Sequence, residues 1–215
     1  PMASPAREGW QSWAAANHIF TIFVQGDEIL AGSSASLTIW NRQDGSFRQI
    51  TTRDGLPGAS VKAVFRDTDG TWWFGTDGGL AQFDGSSWEY YSYDQGLDST
   101  EVTAITRVGG ELWAGTQYSG VEHGGLLHFD GQRWQPVSGF PSTQEGRMDT
   151  VAYNINAIGE DLDGRAWVAT SDGLAMFDGQ SWHVFDTPQG LPDPIVTTLT
   201  LDNQGKLWVG TYHGG

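Results

Sequence analysis

Two stretches of the chain gather side chains able to grip a ligand. Tyr118, Glu122 and His123 lie in one; Gln144, Glu145, Arg147, Met148, Tyr153 and Asn154 lie in the other. A tyrosine offers a flat apolar face with a hydroxyl at its edge, which suits a sugar ring or a peptide side chain. An arginine grips a carboxylate through two parallel hydrogen bonds. The glutamates accept from hydroxyls or cations. Such a set binds by complementarity. Catalysis has no comparable pattern. The histidines are His18, His123, His128, His183 and His213, and none forms a His-x-x-x-His pair. No Gly-x-Ser-x-Gly elbow appears and cysteine is absent, so no nucleophile is marked out. The expectation is a non-enzyme with no catalytic residue, no cofactor and no metal. The acidic segments Asp67-Thr68-Asp69-Gly70 and Asp161-Leu162-Asp163-Gly164, with Asp84, Asp130 and Asp178, look at first like calcium sites. Calcium needs six or more converging oxygens, whereas aspartate in a tight turn is explained by bonding to its own backbone.

Both stretches interrupt a repeat, and the repeat is what positions them. Trp72-Trp73-Phe74-Gly75-Thr76 returns as Leu112-Trp113-Ala114-Gly115-Thr116, as Ala166-Trp167-Val168-Ala169-Thr170 and as Leu207-Trp208-Val209-Gly210-Thr211. Ile29-Leu30-Ala31-Gly32-Ser33 is an eroded first copy. Thr76 and Thr116 stand 40 residues apart, a spacing that fits one four-stranded propeller blade. Within a unit the segments are short, rich in β-branched and aromatic residues, and broken by Gly and Asp. In the second unit, Val61–Arg66, Thr71–Thr76, Gly79–Phe83 and Trp88–Tyr93 read as strands a to d. No window keeps the 3.6-residue period of a helix. The predicted fold is all-β: a β-propeller of four-stranded antiparallel blades. Four full repeats and partial repeats at both ends make about five blades, or a piece of a larger ring. The units run 18–60, 61–100, 101–150, 151–194 and 195–215, the last partial. Trp10–Trp13 reads as a strand d before the first unit, so the repeats span 10–215. Residues 1–9 read as a tag or linker remnant. The mid-strand Trp73, Trp113, Trp167 and Trp208 are expected in the core between blades, as are Trp88, Trp134 and Trp182.

The repeat locates the two candidate stretches. Thr76 and Leu80 stand 4 residues apart, but Thr116 and Leu126 stand 10 apart, an excess of 6 in the b–c loop. Gly55 and Val61 stand 6 apart, but Gly139 and Ile155 stand 16 apart, an excess of 10 in the following d–a loop. Propeller b–c and d–a loops share one face, so both insertions rise beside one blade. Long loops on a rigid scaffold commonly carry binding. The predicted ligand-binding residues are Tyr118, Glu122, His123, Glu145, Arg147 and Tyr153. The a–b and c–d turns share the opposite face, which is acidic.

The segment Asp54-Gly55-Leu56-Pro57, followed by Val61–Val64 and Asp69–Leu80, resembles the two-component regulator propeller repeat. Gly190-Leu191-Pro192 followed by Val196–Thr211 resembles a second copy. The resemblance implies a propeller outside the cytoplasmic membrane, periplasmic or extracellular. Such propellers commonly stand ahead of a sensor kinase and recognise extracellular ligands, often saccharides. Family members usually carry many more repeats, and the family defines no fixed catalytic residues. A weaker resemblance to the streptogramin lyase propellers keeps an enzyme reading open, beside a protein-interaction scaffold.

The 215 residues carry a net charge of −15, which argues against nucleic acid and anionic membrane as partners. No apolar run approaches the length of a membrane span. The expected partner is a small-molecule or glycan ligand, or a protein, on the face carrying the insertions. Self-association through open end strands is also expected, since uncovered strand edges pair.

Overall fold

The computed structural model describes residues 18–117, 124–141 and 154–214. These residues form five antiparallel sheets laid down in chain order. Blade 1 is β1 (Ile19–Gln25), β2 (Glu28–Ser33), β3 (Leu37–Asn41) and β4 (Phe47–Ile50). Blade 2 is β5 (Val61–Arg66), β6 (Trp72–Thr76), β7 (Gly79–Phe83) and β8 (Trp88–Tyr91). Blade 3 is β9 (Val102–Val108), β10 (Glu111–Thr116), β11 (Leu126–Phe129) and β12 (Trp134–Pro136). Blade 4 is β13 (Ile155–Glu160), β14 (Ala166–Thr170), β15 (Gly173–Phe177) and β16 (Trp182–Phe185). Blade 5 has β17 (Val196–Leu201) and β18 (Leu207–Thr211). The helical elements among the described residues are two 3-10 turns, Tyr93–Gln95 and Thr187–Gln189.

The first strands of successive blades pack on one another, β1 on β5, β5 on β9, β9 on β13 and β13 on β17. These are the inner strands around the propeller axis. Four apolar clusters fill the joints. One joins Leu30, Leu37 and Ile39 to Val61 and Phe74; the next joins Trp73, Leu80 and Tyr91 to Leu112, Leu127 and Trp134. The third joins Trp113 to Ile155 and Val168, and the fourth joins Ala169 and Leu174 to Val196. No blade can bury both faces alone, so stacking is what makes the core.

The strand expectations for blade 2 hold for a and c. Strand d ends at Tyr91 rather than Tyr93. There the Ser92 amide donates to Gln95 Oε1 at 2.9 Å and the Gln95 amide donates back to Ser92 O at 3.1 Å, folding the chain into a tight turn. The expected strand at Trp10–Trp13 lies outside the described residues. The tryptophans follow their neighbours. Trp73, Trp113 and Trp134 are buried, and Trp167 is half-buried. Trp208 is 55% exposed, which corrects the expectation of a core site, because no described blade covers β18. At the other end Ile22 (64% exposed) and Val24 present an open face of β1.

Candidate functional site

Every blade offers the same backbone frame at the end of the axis where inner strands begin and second strands end. The residue after each second strand donates its amide to the carbonyl before each inner strand. The bonds are Ser34 to His18 (3.2 Å), Asp77 to Ser60 (3.2 Å), Gln117 to Glu101 (2.9 Å), Ser171 to Asn154 (3.2 Å) and Tyr212 to Ile195 (2.9 Å). One residue into each inner strand the register slips by one, a β-bulge found in all five blades. A bulge lifts one side chain out of the pleat and re-aims it. The bulged residues are Phe20, Lys62, Thr103, Asn156 and Thr197.

The frame is constant while its side chains change, giving a crown of mixed chemistry. Lys62 pairs with Glu101 and lies 5.4 Å above the Phe20 ring. Burial pushes the Lys62 ammonium below its usual value, against the pull of Asp77. Thr103 donates to the Ile155 carbonyl of the next blade. Asn156 Nδ2 donates to Val196 O at 2.7 Å, and its Oδ1 accepts from Gln117 Nε2 at 2.8 Å. The crown is therefore hydrogen-bonded across blade joints as well as within blades.

The predicted binding residues Tyr118, Glu122, His123, Glu145, Arg147 and Tyr153 lie outside the described residues. The ends from which their loops spring are described. Gln117 and Asn154 both belong to the crown frame, and the Gln117 amide reaches Asn156, two residues beyond Asn154. The b–c insertion leaves from a closed base. Thr116 Oγ1 accepts from the Gly125 amide at 2.7 Å and donates at 2.7 Å to Asp98 Oδ1. Thr76 and Thr170 do the same work in ordinary blades, donating to Gly79 O and Gly173 O at 2.8 Å. The crown itself escaped the sequence reading. Its signal was a varying residue (Phe20, Lys62, Thr103, Asn156, Thr197) inside a repeat whose neighbours hardly vary.

On the opposite face the acidic turns close on themselves. Asp84 Oδ1 accepts the Ser86 and Ser87 amides, Asp130 those of Gln132 and Arg133, and Asp178 those of Gln180 and Ser181. These bonds hold all three carboxyls below their ordinary value, Asp178 at about 2, where the Ser181 amide leads and His183 adds to it. The turn explanation of these aspartates is what the geometry displays. His183 pairs with Asp178 on an outer strand, and His213 pairs with Asp193 at 3.2 Å on the crown side. Both imidazoles are exposed.

The repeat of the two-component regulator propeller family matches residues 55–78 and 190–213, as its resemblance led one to expect. No curated protein matches the sequence. Solved structures align over most of the chain. The extracellular domain of BT4673 of B. thetaiotaomicron, described as a one-component system, gives a TM-score of 0.72 at 18% identity, covering 95% of this chain. The extracellular domain of the hybrid two-component system BT3049 of the same organism gives 0.72 at 20% identity over 90%. This chain spans 27% and 26% of the length of those two domains. Virginiamycin B lyase of Staphylococcus aureus gives 0.63 at 16% identity, with 89% of this chain and 62% of the lyase covered. At these identities the likeness establishes the propeller fold.

Proposed function

We propose that this chain is a non-catalytic recognition module of an extracytoplasmic sensor, taking a small polar ligand, in the first instance a saccharide, at the crown and its two long loops. The observation that carries this is the crown. Five identical backbone frames present bulged side chains of four kinds, Phe20, Lys62, Asn156 and the threonines Thr103 and Thr197, around one axis. A scaffold under selection for packing alone has no use for that variation, whereas a binding rim does. The two regulator domains with the same fold are described as extracellular, which supports the location. In this reading Tyr118 and Tyr153 supply stacking faces, and Arg147, Glu122, Glu145 and His123 supply the polar grip.

The test is a glycan array followed by calorimetry on the best-bound glycan. Three proteins are compared: the parent, a variant with both loops trimmed to the length found in blade 2, and Lys62→Met. The expected result is saturable binding, abolished by trimming and weakened about tenfold by Lys62→Met, the loss of one charged hydrogen bond. Retention of no glycan sinks the saccharide reading. Unchanged affinity in both variants sinks the crown.

A further inference from the structure

The joints between successive blades are built to one plan. The residue that opens each inner strand is a β-branched knob, and Val61, Val102, Ile155 and Val196 are all fully buried. Each knob sits beside the small residue next to last in the second strand of the preceding blade. A Cβ on Gly32 would lie 3.0 Å from Val61 Cγ1, one on Gly75 3.0 Å from Val102 Cγ1, and one on Gly115 2.3 Å from Ile155 Cγ2. At the fourth joint Ala169 packs in one cluster with Val196. Farther from the axis, an aromatic contact repeats. Trp73 lies 6.0 Å from Phe129 and 6.1 Å from Trp134, which pair across the outer strands of blade 3. Trp113 lies 6.3 Å from Trp182, the cross-strand partner of Phe177 in blade 4.

Blade 1 carries the knob side of this plan with no described blade against it. Ile19 holds the knob position and is 48% exposed. Ile22 stands three residues on, where Val64, Ile105 and Ile158 pack into their joints, and it too is exposed. Trp40 and Phe47 pair across β3 and β4 where Phe129 pairs with Trp134, so the aromatic pair is kept with its order reversed. Both rings are exposed. A patch of this size and kind on one face marks a contact surface.

Blade 5 carries the receiving side. Gly210 holds the small position, and the atoms nearest to a Cβ there belong to Thr197 and Thr198 of its own blade. Trp208 holds the position of Trp73 and Trp113, exposed, with its Nε1 donating to Asp202 Oδ2 at 3.0 Å. The exposed Lys206 ammonium lies 4.7 Å from the ring centre and must leave it when a partner packs there.

The two faces match each other and neither matches itself. The blade 1 face has knobs and holds no glycine to receive one; the blade 5 face has the glycine and no knob. Within one molecule they do not meet, since Ile19 and Trp208 are both exposed. We propose that a second copy of this chain docks head to tail, the blade 1 face of one copy on the blade 5 face of the next. Ile19 then seats at Gly210, and Trp208 packs on the Trp40–Phe47 pair, continuing the four joints already inside the chain. Sheet faces meet in this contact, and strand edges play no part in it. Because the two surfaces differ, the association closes into a ring or runs on as a filament. It rests on the joints and not on the crown, so it stands or falls apart from the ligand reading.

The experiment blocks one face at a time and follows sedimentation velocity over a concentration series. Ile22→Lys with Val24→Lys blocks the blade 1 face, and Thr198→Lys with Thr200→Lys blocks the blade 5 face; all four side chains are exposed, so the fold is retained. The parent is expected to grow in size with concentration, and each blocked protein alone to associate at least tenfold more weakly. An equal mixture of the two blocked proteins should form a pair of chains and nothing larger, because one open face of each kind remains. Ile19→Ala, which trims only the knob, should weaken association of the parent about tenfold. A parent that stays monomeric at every concentration overturns the proposal. So does either blocked protein associating alone as well as the parent, a mixture that forms no pair, or an Ile19→Ala protein that associates as tightly as the parent.

Discussion

At the scale of single residues, equivalent tryptophans differ in what holds them, and mutation should expose the difference. Trp167→Phe removes a hydrogen bond to Asp161, whereas Trp73→Phe removes a donor that bonds nothing. Beyond the shared loss of ring area, Trp167→Phe should cost about 0.5–1.5 kcal/mol more, read from urea unfolding midpoints. Equal costs would show that the Trp73 N–H is satisfied. The Asp67–Arg107 pair carries a pH signature. The hydrogen bonds from Arg107 lead in holding the Asp67 carboxyl below its usual 3.8. A carboxyl depressed on folding adds stability that is complete above its unfolded value and fades as pH falls through the folded one. Melting temperature should thus drop more steeply below about pH 4 in the parent than in Asp67→Asn. The sequence made Trp73, Trp113 and Trp134 legible as core, but not the exposed Trp208, and it made the aspartates legible as turn residues. It could not reveal that Arg107, 40 residues on, claims Asp67; that depends on how two blades meet.

At the scale of elements, the glycine near the end of the second strand in blades 1, 2, 3 and 5 sets how closely blades approach. A Cβ on Gly75 would lie 2.7 Å from the Val102 carbonyl oxygen, and one on Gly115 would lie 2.3 Å from Ile155 Cγ2. Neither glycine has an unusual φ, so the demand is for space. Gly75→Ala should destabilise by about 1–3 kcal/mol, the usual cost of overpacking, measured by chemical unfolding. Unaltered stability would mean that the joint between blades 2 and 3 is loose. Blade 4 already has Ala169 at this position, where blade 5 brings only two described strands. The strands themselves were legible from Val, Ile, Thr and aromatic runs between Gly and Asp. The bulges were not, because a one-residue slip leaves no mark in composition.

At the scale of the molecule, both ends of the stack show apolar sheet. Ile22 and Val24 on β1, and Trp208 on β18, have no described blade against them. Such faces pair or aggregate. The isolated chain is therefore expected to self-associate with rising concentration in sedimentation, and the double substitution Ile22→Lys, Val24→Lys should lower that tendency. Sedimentation as a monomer at every concentration would contradict it. The repeat count was legible in the sequence, whereas the loops of the candidate site, residues 118–123 and 142–153, lie outside the described residues. The clasp of Thr116 on Gly125 bears on how such a protein changes over generations. Because the hydroxyl seals the base of the b–c excursion just as Thr76 and Thr170 seal short ones, the length of the excursion is uncoupled from the blade. Insertions and deletions there should be tolerated, and a foreign peptide spliced between Gln117 and Gly124 should be displayed without a change in the blade beneath it. Loop length in this architecture is free to diverge faster than the frame.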